Sequence, residues 1–216
     1  MNSDSNYSEY VQKVTENIWI TIGSRFNASR RLNNKYKFSA ISISVLSIFG
    51  IGTPIIQNFI DSNQCLKINE LYTLVSILLS IFILVLSLLE GSQNYQVKAD
   101  KLYSNAVDIS SVSKEIYFLT NYELKRDVSE EEKNNIITKI KDQYKEYDDL
   151  IKRCPENHDP DDYLLFKAQN YQEFKKEWLW SKRILIWLRI KYYWLYFVLT
   201  TTIAITIINL YLSCPV

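Results

Sequence analysis

Three long apolar stretches without a charge, Phe38 to Phe59, Leu71 to Leu89 and Tyr192 to Leu212, constrain this chain more than any other feature of its sequence. Each has about the 20 residues that a helix needs to cross a bilayer core. No charge lies between Lys37 and Asp61 or between Glu70 and Glu90, and Lys191 is the last charged residue. The core helix of a soluble domain can be apolar all round. Three such runs in 216 residues instead predict an all-α integral membrane protein with three spans.

Overall composition conceals this, because mean hydropathy is −0.14 and 23% of residues are charged. The charges are segregated. Residues 90–191 hold 18 of the 25 basic and 19 of the 24 acidic residues, enough chain for one small polar domain. A net charge of +1 without a basic stripe argues against a nucleic-acid partner.

Lys and Arg beside a span are retained on the cytoplasmic side. Arg25, Arg30, Arg31, Lys35 and Lys37 precede the first span, the 60–70 loop carries only Lys67, and Lys175, Lys176, Lys182, Arg183, Arg189 and Lys191 lead into the third. The expected layout is a cytoplasmic amphipathic helix (1–37), a span (38–59), an outer loop (60–70), a span (71–89), a cytoplasmic helical bundle (90–191), a span (192–212) and an outer tail (213–216). On this layout the protein is expected to cross the membrane more than once with its N-terminus in the cytoplasm. The polar first 37 residues lack the pattern of a cleaved signal peptide, so the first span is expected to direct insertion.

That layout puts Cys65 and Cys214 outside and Cys154 inside. An oxidising outer compartment would permit a Cys65 to Cys214 disulfide; the plain alternative is two unpaired thiols, since two cysteines fix no geometry. Neither a metal site nor a cofactor is expected. The only histidine, His158, lies in Cys154-Pro-Glu-Asn-His-Asp-Pro-Asp-Asp, a turn-rich stretch without paired ligand spacing. Phosphate-binding glycine loops and nucleophile motifs are missing as well. The acid pairs Asp148-Asp149 and Asp161-Asp162 read as solvated charge or caps, so no catalytic residues are expected and the chain is not read as an enzyme.

The cytoplasmic part reads as helices. Tyr95, Ala99, Leu102, Ala106, Ile109, Ser113, Ile116 and Thr120 recur in steps of four and three, a heptad-like seam that predicts one unbroken helix from the second span to about Tyr122, with Gly91 its weak point. Over about 50 residues this helix would reach roughly 75 Å. Sustained outside the membrane, such a seam points to a coiled coil between copies or to the core of the monomer's own bundle. Ser129-Glu-Glu-Glu marks a helix start with a serine cap, followed by a stripe of Ile137, Ile140, Tyr144, Tyr147 and Ile151. Pro160-Asp-Asp opens another helix, expected to run through Trp178 directly into the third span, with Trp187, Tyr192, Tyr193 and Trp194 at the interface. Tyr10, Val14, Ile18, Ile22 and Phe26 mark an amphipathic helix that either packs on the others or lies on the membrane surface.

Polarity inside the spans is the remaining signal. Ser76, Ser80 and Ser87 share one face of the second span, and Thr202, Thr206 and Asn209 one face of the third; Ser39, Ser42, Ser44, Ser47, Gly50 and Gly52 mark the first. Small and hydroxyl residues let membrane helices approach closely. The sharper reading is a stripe lining a water-filled path once several copies assemble, with the Asn209 amide in need of a partner at membrane depth. Three spans in one monomer scarcely enclose a channel, so a pore requires a homo-oligomer.

An N-terminal helix carrying Trp19, Arg25, Ala28, Arg31 and Leu32, two spans joined by a short outer loop, and a second span running into Tyr95-x-x-x-Ala99-x-x-Leu102-Tyr103 resemble the SLATT family, the SMODS and SLOG-associating two-transmembrane effector domain. The resemblance covers about residues 10–125. It implies a non-enzymatic membrane effector found beside nucleotide second-messenger synthases and other bacterial defence genes, forming pores or breaching the inner membrane when a cytosolic sensor or signal-producing defence protein detects infection, and so causing abortive infection. The third span departs from the two-span layout. Membrane lipid is then one partner and a second copy another. The competing expectation is an integral-membrane scaffold that recruits a cytosolic partner through the same bundle.

Overall fold

The computed structural model of the protein describes the backbone of residues 2–57, 66–124 and 129–212. They form α1 (Asn2–Gln57), α2 (Leu66–Ser92), α3 (Tyr95–Phe118), a π-helical turn (Leu119–Glu123), α4 (Glu130–Arg153), α5 (Pro160–Gln169) and α6 (Trp178–Leu212), with no strand among the described residues. Two compact units result. The first comprises Met1–Leu32 and Gln96–Leu188, the second Asn33–Tyr95 and Arg189–Val216.

The core of the first unit is built on Ile18 of α1, which packs with Ile109, Val112 and Ile116 of α3, and Tyr144, Tyr147, Leu150 and Ile151 of α4 close over them. The amphipathic face of α1 is therefore a bundle face rather than a membrane-surface one. The seam of α3 is spent in the same place: Ala99, Leu102, Ala106, Ile109 and Ile116 are all buried. The chain's own helices cover it, so burial of this stripe asks for no coiled coil between copies. Leu119 of the π turn extends the core onto Ile136 and Ile140.

Caps set where the helices of this unit begin. Ser129 forms a full capping box with Glu132: its hydroxyl accepts from the Glu132 N–H at 3.3 Å, and the Glu132 carboxylate accepts from the Ser129 N–H at 3.2 Å. Asp159 repeats the device with Asp162 at the head of α5, where Pro160 occupies the first turn and has no N–H to leave unsatisfied.

Two expected helices are broken. The helix from the second span does not continue unbroken: α2 ends at Ser92, and Asn94 adopts φ 51° before α3 begins. Asparagine is among the few residues that enter this left-handed conformation readily, and it ends α2 as a glycine would. The helix opened by Pro160 likewise stops at Gln169. The chain then turns through 170–177, where Lys175 has φ 51° and the Lys176 N–H donates to the Tyr171 carbonyl at 2.7 Å, before α6 starts afresh at Trp178.

The second unit has an inverted polarity. Its interior holds Ser39, Ser42 and Leu46 of α1 and Ser76 and Leu79 of α2. Gly50 brings the two helices close, since a Cβ there would lie 3.4 Å from Ile83 Cδ1, the kind of approach that small residues permit between membrane helices. Pro54 lies within α1 and withholds one hydrogen bond from the preceding turn.

Candidate functional site

The outer surface of the second unit is the first candidate. Ile41, Ile48, Ile51 and Ile55 of α1 are exposed, as are Leu74, Ile77, Leu78, Ile81, Phe82, Leu84, Val85, Leu88 and Leu89 of α2, and Ile190, Trp194, Val198, Ile205 and Ile208 of α6. Soluble monomers seldom expose contiguous apolar surface on this scale. Among the described residues, one stretch, Thr73–Glu123, which includes the bend at Asn94, is long and apolar enough to cross a membrane, with a mean hydropathy of 2.5 over its best 18 residues. By that measure the expectation of three spans is not met. Both 38–57 and 192–212 are nevertheless helical.

The stripe residues fall in different settings. Ser76 is buried and its hydroxyl lacks a hydrogen-bond partner. Ser80 is exposed and donates to the Ser76 carbonyl at 2.8 Å, whereas Ser87 is half-buried. Thr202, Thr206 and Asn209 lie on the backbone of α6, with their side chains outside the described set. Cys65 and Cys214 also lie outside the described residues. Cys154 is a free thiol that donates to the Glu156 carbonyl at 3.3 Å.

A buried polar core in the first unit is the second candidate. Arg31, 9% exposed, donates from Nε to Asp162 Oδ1 at 2.8 Å and from Nη2 to Asp162 Oδ2 at 2.9 Å, and Nη2 also reaches Asp159 at 2.7 Å. Asp162 is 1% exposed. The Asp161-Asp162 pair does supply a cap, through Asp162, but Asp162 is not solvated: a helix 131 residues earlier holds it. Asn27 donates to Gln169 at 3.0 Å and to the Asp162 carbonyl at 3.4 Å. Arg25 donates to the Asn105 side-chain oxygen, and Asn105 in turn donates to the Leu150 carbonyl at 2.7 Å. Burial, with the Arg25 charge adding to it, lowers the pKa of His158 below the usual 6.5, and Asp162 and Asp159 oppose the shift.

Local sequence gave no sign of Asn27, Asn105, Asp162 and Gln169, because their partners are distant in the chain. Two arginines counted as flanking charges, Arg25 and Arg31, are instead internal. An aromatic cluster adjoins this core: Trp19 meets Phe166 edge-on with ring centres 4.7 Å apart and stacks on Phe174 at 6.0 Å.

One apolar stretch of membrane length among the described residues, an outward-facing apolar unit and a separately packed bundle define the class of membrane-associated helical proteins. The sequence of this chain matches the model of SMODS and SLOG-associating 2TM effector domain family 5 over residues 7–212, and the chain belongs to that family. Membership makes it a two-transmembrane effector domain linked to defence systems. The match reaches well beyond the 10–125 expected, so α4, α5 and α6 are parts of the family domain. Comparison with curated proteins and with solved structures gave no match.

The resemblance residues map onto the first unit and its edge. Ala28, Ala99 and Leu102 are fully buried, Arg25 and Arg31 anchor the polar core, and Tyr103 meets Phe26 edge-on at 5.5 Å.

Proposed function

We propose that this protein is a non-enzymatic effector of a bacterial anti-phage defence system that assembles as a homo-oligomer in the inner membrane and perforates or disrupts it on activation, stopping growth of the infected cell. The observation that carries the reading is the inverted second unit, with hydroxyls inside and Ile, Leu and Phe outside, on a chain whose family is an effector family. In this reading 38–59 and 71–89 cross the bilayer, 192–212 adds a third crossing, and the N-terminus and first unit face the cytoplasm. There a cytosolic sensor or a signal-producing defence protein acts on the first unit; nucleic acid has no part. Ser76, Ser80 and Ser87 with Thr202, Thr206 and Asn209 form the stripe that lines the path or packs the helices around it, and a Cys65–Cys214 bridge would tie the outer ends. Hydroxyl and amide groups tolerate this setting because neighbouring copies supply hydrogen-bond partners.

Growth arrest on induced expression tests this. The arrest should disappear with Asn209→Leu or Ser80→Leu while membrane insertion persists. Arrest of equal strength in both variants would remove the stripe from the mechanism.

The second reading, an integral-membrane scaffold, draws on the first unit, which packs its own core and keeps an open cavity of about 1180 Å³. Harmless expression in every background, with a co-purifying cytosolic partner, would favour it.

A further inference from the structure

Two lysines from distant parts of the chain meet at one ring of the second unit. The Lys35 ammonium of α1 lies 5.4 Å from the centre of the Tyr192 ring, and the Lys191 ammonium of α6 lies 5.7 Å from the same centre. Lys35 is also 5.8 Å from the ring of Tyr95, so aromatic faces hold both cations in place. Lys37 and Arg189, each two residues from one of these lysines, are exposed. Glu90, near the end of α2, is the one carboxylate among the charged residues of this unit whose side chains are described. Of the unit's other charges, Lys67 and Glu70 stand on the first turns of α2, about 30 Å of helix from Glu90, and Asp61 follows the far end of α1 in sequence.

Orientation in a membrane asks only that basic residues flank a span. It does not ask their side chains to converge. Like charges gathered around one ring repel each other, and an anion shared between them replaces that repulsion with attraction. The surface beside them turns apolar within one helical turn. Lys191, Trp194 and Val198 follow one another along an exposed face of α6, and Lys37, Ile41 and Ile48 along an exposed face of α1. Cations at the head of apolar strips complement an anionic lipid, whose phosphate meets the ammonium groups while its acyl chains cover the strips. A soluble phosphate would leave those strips bare.

We infer that Lys35 and Lys191, gathered at Tyr192, form a headgroup site for an anionic phospholipid of the surrounding bilayer. The inference rests on the reading that this unit lies in a membrane and is independent of pore formation.

Phosphatidylglycerol titrated into the full chain in a neutral detergent, with bound lipid counted by native mass spectrometry, tests it. Phosphatidylcholine is the zwitterionic comparison and inorganic phosphate the soluble competitor. Phosphatidylglycerol should bind about tenfold or more tightly than phosphatidylcholine, and Lys35→Gln and Lys191→Gln should each weaken it about fivefold. Lys35→Arg should retain it, and Lys139→Gln, which removes an exposed cation from the first unit, should leave it unchanged. Equal binding of the two lipids, unchanged affinity in both glutamine variants, an equal loss in Lys139→Gln, or displacement by millimolar phosphate would overturn the inference. Alkaline extraction of bacterial membranes is run alongside: an extractable chain contradicts the membrane reading, whereas a resistant chain without these lipid preferences contradicts this inference alone.

Discussion

Arg31 grips Asp162 through two parallel hydrogen bonds of 2.8 and 2.9 Å, joining α1 to the first turn of α5 in a contact that is almost wholly buried. The geometry is the planar fork that only a guanidinium presents. Such a pair need not stabilise the fold more than well-packed apolar residues would, but it is costly to break on one side. Asp162→Ala takes two hydrogen bonds from the buried Arg31 guanidinium, which keeps its contact with Asp159, and removes the acceptor that caps the Asp159 N–H. A loss of about 3 to 5 kcal/mol is expected, read by chemical unfolding in detergent. Arg31→Lys should recover only part of it, because a lysine cannot reproduce both bonds.

Gly23 is a steric requirement. A Cβ there would fall 1.9 Å from the Phe166 ring, and that ring is wedged between Trp19 and Phe174. Gly23→Ala should therefore cost about 1 to 3 kcal/mol through overpacking. At Gly91 nothing lies within 4 Å of the added atom, and Gly91→Ala should be neutral or stabilising by up to about 1 kcal/mol. Thermal unfolding of the two variants side by side distinguishes a packing cost from a general intolerance of change.

The Ser129 box is predicted to carry a small, local weight. Ser129→Ala removes the acceptor for the Glu132 N–H and should cost about 1 kcal/mol. Hydrogen exchange should show the loss as faster exchange in the first turn of α4, with the core amides of α3 following only the global change.

Acid should loosen the first unit through His158. Its pKa is lowered in the fold, first by burial and then by Arg25. The unfolded chain therefore binds the proton first, the stabilising contribution is complete above about pH 6.5, and it is lost as pH falls from there towards the folded value. His158→Gln should flatten the stability profile between about pH 7.5 and 5.5 relative to the parent, measured by thermal unfolding at each pH. Parallel profiles would remove His158 from the account.

Local patterns told much of this fold. The Ser129 cap, the Pro160 helix start and the buried face of α3 follow from spacing and composition, because each depends on neighbours within a turn or two. The break at Asn94 and the turn at Lys175 carry no glycine or proline at the left-handed position, so punctuation could not show them. Asp162 was misread for a different reason: an acid pair at a helix start is usually solvated, and only a partner far along the chain makes this one internal. The seam of α3 showed its period but not its occupant, which is α1 and α4 of the same molecule.

The most direct test of the central claim is membrane potential, followed with a potential-sensitive dye in bacteria during induced expression, with the chain alone and with its genomic neighbours. The account predicts rapid depolarisation that precedes loss of viability in at least one of these conditions. An intact potential in both, with the protein shown to be inserted, would contradict it.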